Sequence, residues 1–408
     1  MPPSPLDSQA SSCHLLQVSF VDAYRQLPLE RLLHLSMQCP AADARHSVGL
    51  GRPTLSDFAR LISPEGAACL EPMARRTQTL TQQRFGKVIR MFAPLYLSNE
   101  CINNCAYCGF SRDNPILRLT LSPDEAAAEA RALAAQGFRN LLLVAGEHPR
   151  FISATYLRDC TAALRQVVPG IALEVGPMET DEYRPIVAAG AEGLVVYQET
   201  YDRPVYADLH TAGPKRDFDW RLATPERAYA AGFRRLGIGV LLGLGDWRWE
   251  ALCVAAHAQW LLRHCWKAQL TISLPRLRPC AGDFEPRVNV TDAELVQLLC
   301  ALRLFLPDVG LVLSTRESAR LRDRLLLLGV THMSAGSHTE PGGYTGAGRD
   351  KIHRTQRGSI VALAEGSSQW ATGQFDIADE RPPAEVAAQI CAAGYEPVWK
   401  DWDCALHT

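Results

Sequence analysis

The sequence lacks an excess of charge of either sign. Its 408 residues include 42 Lys and Arg against 44 Asp and Glu, which leaves a formal net charge of −2. It also lacks a long hydrophobic run. The apolar stretch at 325–328 ends at Gly329, far short of the roughly 20 residues that span a bilayer. We therefore expect neither nucleic acid nor a membrane as a partner of this protein.

The start of the chain lacks a basic segment followed by an apolar one, since residues 1–16 read MPPSPLDSQASSCHLL. A secretory leader needs both, so we expect a cytoplasmic protein. Thiols stay reduced in that compartment, and disulfides therefore do not explain the 13 cysteines. Those that stand singly in apolar contexts are expected to be small core residues: Cys39, Cys69, Cys160, Cys253, Cys265, Cys300 and Cys391.

Hydrophobic residues make up 47% of the chain, and their spacing predicts its organisation. Residues 1–85 show helical patterning without strand alternation. Beyond them, short runs rich in Val, Ile and Leu alternate with amphipathic stretches, as in repeated βα units. Eight strands are predicted, at 89–97, 140–145, 171–175, 193–197, 235–242, 269–274, 310–314 and 330–334. Eight parallel strands favour an α/β fold with a (β/α)₈ TIM-type barrel, whose site lies at the strand C-termini. A doubly wound open sheet is the alternative.

We accordingly divide the chain into three parts. Residues 1–85 are an N-terminal helical extension, and residues 86–340 are the barrel. Residues 341–408 form a C-terminal loop, a helix near 384–393 and a Trp-rich tail that associate with the barrel.

Three cysteines form one short cluster directly after the first predicted strand. Cys101, Cys105 and Cys108 read CINNCAYC. Three thiolates in one loop can hold three irons of a [4Fe–4S] cluster and leave the fourth iron without a protein ligand. Structural zinc takes four protein ligands, and no second cysteine pair follows at a suitable spacing. Three incidental buried cysteines are the other alternative.

The motif and its surroundings, LYLSNECINNCAYCGF, resemble the radical S-adenosylmethionine superfamily. The resemblance is to its aromatic amino acid lyases, and in particular to the tyrosine lyases of thiamine thiazole biosynthesis. It runs from about residue 85 to the end of the chain and includes VAGEHP, EVGPMETDEY, VYQETYD, LHTAGPKRDFDWRL, SLPRLRP, LSTRE and GYEPVWKDWD. It implies a full or partial (β/α) barrel, a [4Fe–4S] cluster on the three cysteines and S-adenosyl-L-methionine as cofactor.

The resemblance also assigns cofactor-binding residues. Tyr107 is the aromatic residue before the third cysteine, and Gly146 with Glu147 matches the element that binds the cofactor amino group. Glu199 falls near the cofactor ribose, and Arg221 matches the arginine that pairs with its carboxylate. Gln198, Glu199, Thr200 and Tyr201 place four polar residues after the fourth strand, which suggests a bound polar ligand there.

The expected substrate residues lie at other strand ends. By resemblance, Arg316 and Ser334 hold the carboxylate and backbone end of the amino acid, and both are candidate catalytic residues together with Tyr96. Tyr96, Glu174 and Met178 are expected to line the pocket. Arg276 and Arg278 also follow a strand, without a role that the sequence assigns to either.

The implied reaction cleaves L-tyrosine between Cα and Cβ, giving 2-iminoacetate and p-cresol, with formation of 5′-deoxyadenosine and methionine. The implied partners are a thiazole synthase and a flavodoxin or ferredoxin electron donor. A tryptophan lyase making an indolic acid and a non-catalytic iron–sulfur scaffold are the alternatives. A hydrogenase-maturation tyrosine lyase fits less well, because it carries a second C-terminal cysteine cluster and this chain has only Cys391 and Cys404 there.

Overall fold

The structure is a computed structural model that describes residues 19–363 and 368–399. Predictions for 1–18 and for the tail at 400–408, including Cys404, lie outside the described residues. The described strands are β1 (Val88–Ser98), β2 (Asn104–Cys105), β3 (Ile116–Arg118), β4 (Asn140–Ala145), β5 (Gly170–Glu174), β6 (Gly193–Glu199), β7 (His210–Ala212), β8 (Arg235–Val240), β9 (Gln269–Ser273), β10 (Gly310–Leu313), β11 (His332–Ser334), β12 (His353–Gln356), β13 (Ser359–Val361) and β14 (Glu396–Val398).

The described helices are α1 (Phe20–Arg25), α2 (Leu29–Met37), α3 (Ala41–Gly49), α4 (Leu55–Leu61), α5 (Pro64–Ala67), α6 (Leu70–Phe85), α7 (Pro123–Ala135), α8 (Ala154–Arg165), α9 (Thr180–Ala188), α10 (Arg203–Leu209), α11 (Phe218–Leu222), α12 (Thr224–Ala231), α13 (Trp247–His264), α14 (Asp292–Phe305), α15 (Ala319–Leu325) and α16 (Pro383–Ala392). Two short 3₁₀ helices cover Pro214–Arg216 and Arg349–Lys351.

Eight parallel strands close into a barrel in the order β1, β4, β5, β6, β8, β9, β10 and β11. Pairing of β11 with β1, for example Met91 with Met333, completes the circle. All eight predicted strands are present, so the (β/α)₈ barrel is confirmed and the open sheet is wrong. Because the strands are parallel, the loops that carry the expected site residues lie at one end, the barrel mouth.

Local signals in the sequence explain where the surrounding helices begin and end. Ser122 and Glu125 form a capping box at the start of α7, and Thr291 and Glu294 form one at the start of α14. Each box satisfies backbone N–H groups that a helix leaves unpaired. Gly232 ends α12 with a φ of 118°, a left-handed conformation that glycine adopts without steric cost.

The six helices that precede β1 pack on the outside of the barrel. Phe20 stacks on His257 of α13, with 4.0 Å between ring centroids. Gln297 of α14 donates hydrogen bonds to the carbonyls of Leu61 and Ser63, at 2.9 and 2.8 Å. This extension therefore covers α13 and α14, and its first helix also reaches the loop after β6, where the Tyr24 hydroxyl donates to the Tyr201 carbonyl.

The C-terminal part contributes structure that the sequence did not predict. Strands β12 and β13 form a small antiparallel sheet with β3, and β14 pairs with β1 in parallel at the edge of the barrel. The last helix begins and ends within one residue of its predicted bounds. Within the described part of the chain, no helix is both long and apolar enough to cross a membrane.

A segment at 371–379, which we call the mouth strap, lies over the barrel mouth. Its backbone N–H groups donate to one carbonyl of β3 and to carbonyls of three loops that follow barrel strands: Thr372 to Leu117, Gln374 to Thr339, Asp376 to Pro279 and Ala378 to Thr315, at 2.8–3.0 Å. The strap therefore links β3 with the loops after β9, β10 and β11.

The expectation that single cysteines fill the core holds for most of them. Cys69, Cys160, Cys253, Cys265 and Cys300 are buried, and Cys39 is partly exposed. Cys391 is exposed, and the expectation for it was wrong because it lies on the outer face of α16.

Candidate active site

The three motif cysteines lie in the loop that leaves β1. Cys105 belongs to β2, which pairs with β7 and places Cys105 opposite His210. Cys105 is buried, while Cys101 and Cys108 are partly buried. Burial raises the pKa of all three thiols, and repulsion from the other motif cysteines raises the pKa of Cys101 and Cys105 further. Thiolates at these positions therefore need a cation between them.

The surroundings of the sulfurs suit an iron–sulfur cluster. Backbone N–H groups of Asn103 and Glu147 point to the Cys101 sulfur, and that of Phe110 points to the Cys108 sulfur. Such donors stabilise thiolates that ligate a cluster. Over residues 19–363 and 368–399, no three His, Cys, Asp or Glu side chains enclose a single metal ion. The three cysteine side chains are therefore not placed to share one zinc ion. A cubane suits them better, because each cysteine binds a different iron.

The predicted Gly146–Glu147 element contacts the cluster loop directly. The Ile102 N–H donates to the Glu147 carbonyl at 2.8 Å, and the Asn103 side chain donates to the Glu147 carboxylate at 2.6 Å. Gly146 passes so close to this loop that an added Cβ would lie 2.2 Å from the Glu100 carbonyl oxygen. Glycine is therefore needed for the approach, and the element lies beside the three cysteines.

Tyr107 is anchored by a histidine of β7. The His210 Nδ1 lies 2.7 Å from the Tyr206 carbonyl, so Nδ1 carries the proton and Nε2 accepts a 2.7 Å hydrogen bond from the Tyr107 hydroxyl. Burial and the nearby Lys215 lower the pKa of His210 to about 3, and the imidazole is neutral. Tyr107 is thereby fixed next to Cys108.

Glu199 lies at the centre of a buried cluster of charges at the end of β6. Its carboxylate is 2.7 Å from Lys215 Nζ and 3.4 Å from an Arg221 guanidinium nitrogen. Arg221 also donates to the Tyr197 carbonyl at 2.7 Å. Burial opposes ionisation of Glu199, but Lys215 and then Arg221 outweigh it and lower the pKa. Glu199 is therefore an anion held by two cations.

The backbone of Glu199 is strained. Its φ is 71°, which is uncommon for a residue other than glycine and costs of the order of 1–3 kcal/mol. The register between β6 and β8 shifts at the same point. Strain of this kind is often retained where it places a functional side chain.

The other polar residues after β6 have partners within the protein. Gln198 is buried and donates to the Phe218 carbonyl at 3.4 Å. Thr200 bonds the carboxyl of Glu250, and the Tyr201 N–H donates to the same carboxyl at 2.7 Å. The expectation that all four polar residues face a ligand was therefore wrong for Thr200 and Tyr201, because Glu250 of α13 accepts from the Thr200 hydroxyl and His257 of α13 pairs with the Tyr201 hydroxyl at 2.8 Å.

Arg316 follows β10 and is stacked on the mouth strap. Its guanidinium carbon lies 3.4 Å from the centroid of the Phe375 ring. Among the described residues, no carboxylate lies within ion-pair distance of Arg316, although Glu174 and Glu199 interact with it over longer distances. Stacking occupies a face of the guanidinium, and the N–H donors at its edge stay available for a carboxylate.

Tyr96 of β1 and Ser334 of β11 lie at the same end of the barrel as Arg316. Tyr96 is buried, packs edge to face on Phe110 at 5.8 Å and donates to Gln374 of the strap at 2.8 Å. Ser334 is also buried, and its hydroxyl accepts from the Thr315 N–H at 3.2 Å. Ser334 therefore supports the loop that carries Arg316.

Glu174 and Met178 come from the third barrel strand and the loop after it. Burial, together with the negative charge of Glu199, raises the pKa of Glu174 to about 7. Met178 is partly buried, and its carbonyl accepts from Arg227 at 3.0 Å. A carboxyl that titrates near neutral pH can accept a hydrogen bond, or a proton, from an amine.

Three site residues escaped the sequence analysis: Lys215, Gln374 and Phe375. Lys215 lies in GPKRDF, six residues before Arg221. Its position close to the predicted cofactor-binding Arg221 could have marked it as a site residue. Gln374 and Phe375 belong to a segment without strand or helix periodicity, and no local pattern marked them. Arg276, by contrast, forms ion pairs with Glu317 and Asp292, which gives it a structural role.

Comparisons with known proteins agree with this arrangement. Residues 95–254 match the radical SAM superfamily, and residues 273–396 match the biotin and thiamin synthesis associated domain. The chain is 41% identical to the 2-iminoacetate synthase of Escherichia coli over 389 residues, which is 95% of this chain and 98% of that protein. The enzyme of the same name from Salmonella typhimurium is 39% identical over the same shares.

Solved structures of hydrogenase maturases have the same fold. The crystal structure of HydG, a maturase of the [FeFe]-hydrogenase, is 29% identical with a TM-score of 0.81, covering 91% of this chain and 79% of that one. HydG from Carboxydothermus hydrogenoformans is 32% identical with a TM-score of 0.75, covering 94% and 82%. Both therefore contain residues without a counterpart in this chain.

Proposed function

The chain belongs to the family of 2-iminoacetate synthases, and on this premise we propose that the residues of its barrel mouth cleave L-tyrosine between Cα and Cβ. The protein is a carbon–carbon lyase of the radical S-adenosylmethionine type, with 2-iminoacetate and p-cresol as products. Its cofactors are a [4Fe–4S] cluster and S-adenosyl-L-methionine. The product belongs to thiamine thiazole biosynthesis.

Cys101, Cys105 and Cys108 hold the cluster in this proposal. When bound, the cluster and S-adenosylmethionine supply the one-electron chemistry that ends in 5′-deoxyadenosine and methionine. Gly146 and Glu147 lie next to Cys101 and bind the amino group of the cofactor. The Tyr107 hydroxyl, fixed by His210, holds the loop between the second and third cysteines.

Glu199 and Arg221 bind the ribose and the carboxylate of the cofactor. The Glu199 carboxylate accepts hydrogen bonds from the two ribose hydroxyls, as a carboxylate with free lone pairs can. Arg221 binds the cofactor carboxylate, with a bidentate geometry that suits it. Gln198 supports this end through Phe218, and Lys215 keeps Glu199 ionised.

Arg316 binds the carboxylate of L-tyrosine, and Glu174 faces its amine. Phe375 holds the guanidinium flat, so that its edge is directed to the carboxylate. When ionised, the Glu174 carboxylate attracts the amine and accepts a hydrogen bond from it. Tyr96, Met178 and Ser334 complete the pocket, and the mouth strap excludes water from it.

One observation carries this proposal: a partly buried arginine without a carboxylate partner in the described chain lies at the same barrel mouth as three clustered cysteines. The test is an anaerobic assay of the reconstituted protein with S-adenosylmethionine, dithionite and L-tyrosine. We expect 5′-deoxyadenosine and p-cresol together. Formation of 5′-deoxyadenosine without p-cresol would overturn the tyrosine assignment, and L-tryptophan would then be assayed for an indolic acid. Absence of both with an intact cluster would favour a scaffold.

The partners follow from the product and the electron that the reaction needs. A thiazole synthase would take up 2-iminoacetate, and a flavodoxin or ferredoxin would reduce the cluster in the cytoplasm. Replacement of dithionite by a reduced flavodoxin tests the donor. Co-purification tests the synthase. The division into a helical extension at 1–85, a barrel at 86–340 and a C-terminal part at 341–408 belongs to the same proposal, and expression of 86–408 alone tests it.

A further inference from the structure

Gln374 of the mouth strap touches both halves of the candidate site. Its Oε1 lies 2.8 Å from the Tyr96 hydroxyl, and its Nε2 lies 3.9 Å from the Cys108 sulfur. A thiolate only accepts hydrogen bonds, so the amide must present nitrogen to Cys108 and oxygen to Tyr96. Tyr96 fits the second contact, because burial raises the pKa of its hydroxyl well above the ordinary value and it stays a donor.

The cluster loop is shaped to accept the strap at this point. Gly109 directly follows the third cysteine, and a Cβ added to it would lie 2.5 Å from the Gln374 carbonyl oxygen. The obstacle is backbone, which cannot rotate away as a side chain can. Any larger residue at 109 therefore displaces the strap from Cys108.

The strap is fixed on both sides of Gln374. Upstream, the Thr372 hydroxyl accepts from the Leu117 N–H at 3.0 Å. Downstream, the fully buried carboxylate of Asp379 pairs with Arg322 and also, at 2.7 Å, with Arg381. Buried pairs of this kind fix a conformation more than they add stability. The amide therefore meets Cys108 in one orientation.

We propose that Gln374 is a positioning residue that raises the reduction potential of the cluster through its N–H bond to the Cys108 sulfur. The inference rests on the cluster assigned under the proposed function. An external reductant delivers one electron to the cluster, and no covalent bond changes in that step. Reduction increases the negative charge on the ligand sulfurs, so a donor aimed at one of them stabilises the reduced state more than the oxidised state.

Tyr96 sets the direction of this donor. Without its hydroxyl the amide can rotate, and the N–H bond to Cys108 is made only part of the time. The potential of the cluster therefore depends on a side chain that lines the proposed amino acid pocket.

The experiment is a redox titration of the reconstituted full chain, followed by electron paramagnetic resonance, without S-adenosylmethionine or tyrosine. We expect a lower reduction potential in Gln374→Leu than in the wild type, and a smaller decrease in Tyr96→Phe. The matched control is Gln356→Leu, the same substitution at an exposed position of β12, and it should keep the wild-type potential. Equal potentials in the wild type and Gln374→Leu, with equal iron content, would overturn the inference.

Two further variants distinguish the effect of the Gln374 N–H bond to Cys108 from the effect of a less stable strap. Gly109→Ala keeps Gln374 but displaces it, and we expect the same direction of change as in Gln374→Leu. If Gln374→Leu fails to hold iron, Gln374→Glu keeps the shape of the side chain and, when ionised, donates nothing; its potential should also be lower. A wild-type protein that binds no [4Fe–4S] cluster would overturn the proposed function itself, whereas unchanged potentials with a bound cluster overturn only the role of Gln374.

Discussion

The cluster side and the amino acid side of the barrel mouth are built in different ways. The three cysteines fall within eight consecutive residues of one loop, 101–108. The amino acid side brings together Tyr96, Glu174, Arg316 and Gln374, which come from four distant parts of the chain. The first side is a local property of the sequence, and the second exists only after the barrel and its strap have formed. Replacements on the two sides should therefore fail in different ways.

The largest effect is expected from Cys105→Ser. The variant lacks one of three cluster ligands, and we expect loss of iron, of the visible absorption and of all turnover. Cys280→Ser is the matched control, because its sulfur lies 3.4 Å from the Tyr107 carbonyl but outside the motif. A control that also loses iron would contradict the assignment of three ligands and an open fourth iron.

Arg316→Ala should affect only the amino acid side. A charge-assisted hydrogen-bonded pair is worth about 1.5–3 kcal/mol, which corresponds to roughly 10- to 100-fold in binding. We expect KM for tyrosine to rise by that factor, with an unchanged cluster spectrum. Arg320→Ala, an exposed arginine on α15, is the control. Loss of the cluster spectrum in Arg316→Ala would contradict the expectation, because it would show that Arg316 also supports the cluster side.

Glu199→Gln tests the region between the two sides. The variant removes the anion that Lys215 and Arg221 share, and we expect binding of S-adenosylmethionine to weaken about tenfold. Iron content should stay at the wild-type level. Calorimetric titration of the reconstituted protein measures the affinity, with the exposed Glu385→Gln as control. Unchanged affinity would remove Glu199 from the cofactor site.

The smallest effect is expected from the pH dependence of Glu174. Its pKa is raised to about 7, first by burial and then by Glu199, so the carboxyl becomes neutral as the pH falls below 7. The attraction for the substrate amine is then lost, and KM for tyrosine should rise a few-fold between pH 8 and pH 6. Glu199, Arg316, Arg221 and Lys215 face the same group and keep their charges over this range.

Glu174→Gln removes the titrating group. Its KM should be high and the same across that range of pH. A variant that keeps the wild-type pH profile would show that another group titrates.

The same contrast explains what the sequence analysis could predict. The eight strands and the capping boxes depend on periodicity and local hydrogen bonds, and the structure contains them. The cysteine motif was equally local. Thr200 and Tyr201 were misassigned because the partners of their side chains, Glu250 and His257, lie about fifty residues further on in α13. Gln374 and Phe375 were missed because the strap takes its shape from backbone contacts with β3 and three loops, and it has no pattern of its own.

The pairing of β14 with β1 has a consequence for how the molecule is made. Val88, at the start of the first barrel strand, has Glu396 as its neighbour, so the strand synthesised first is completed by one of the segments synthesised last. Contacts this distant in sequence slow folding. Until the ribosome has released almost the whole chain, this part of β1 keeps an unpaired edge, and such edges favour aggregation. The nascent protein therefore carries this unpaired edge of β1 until β14 has been synthesised.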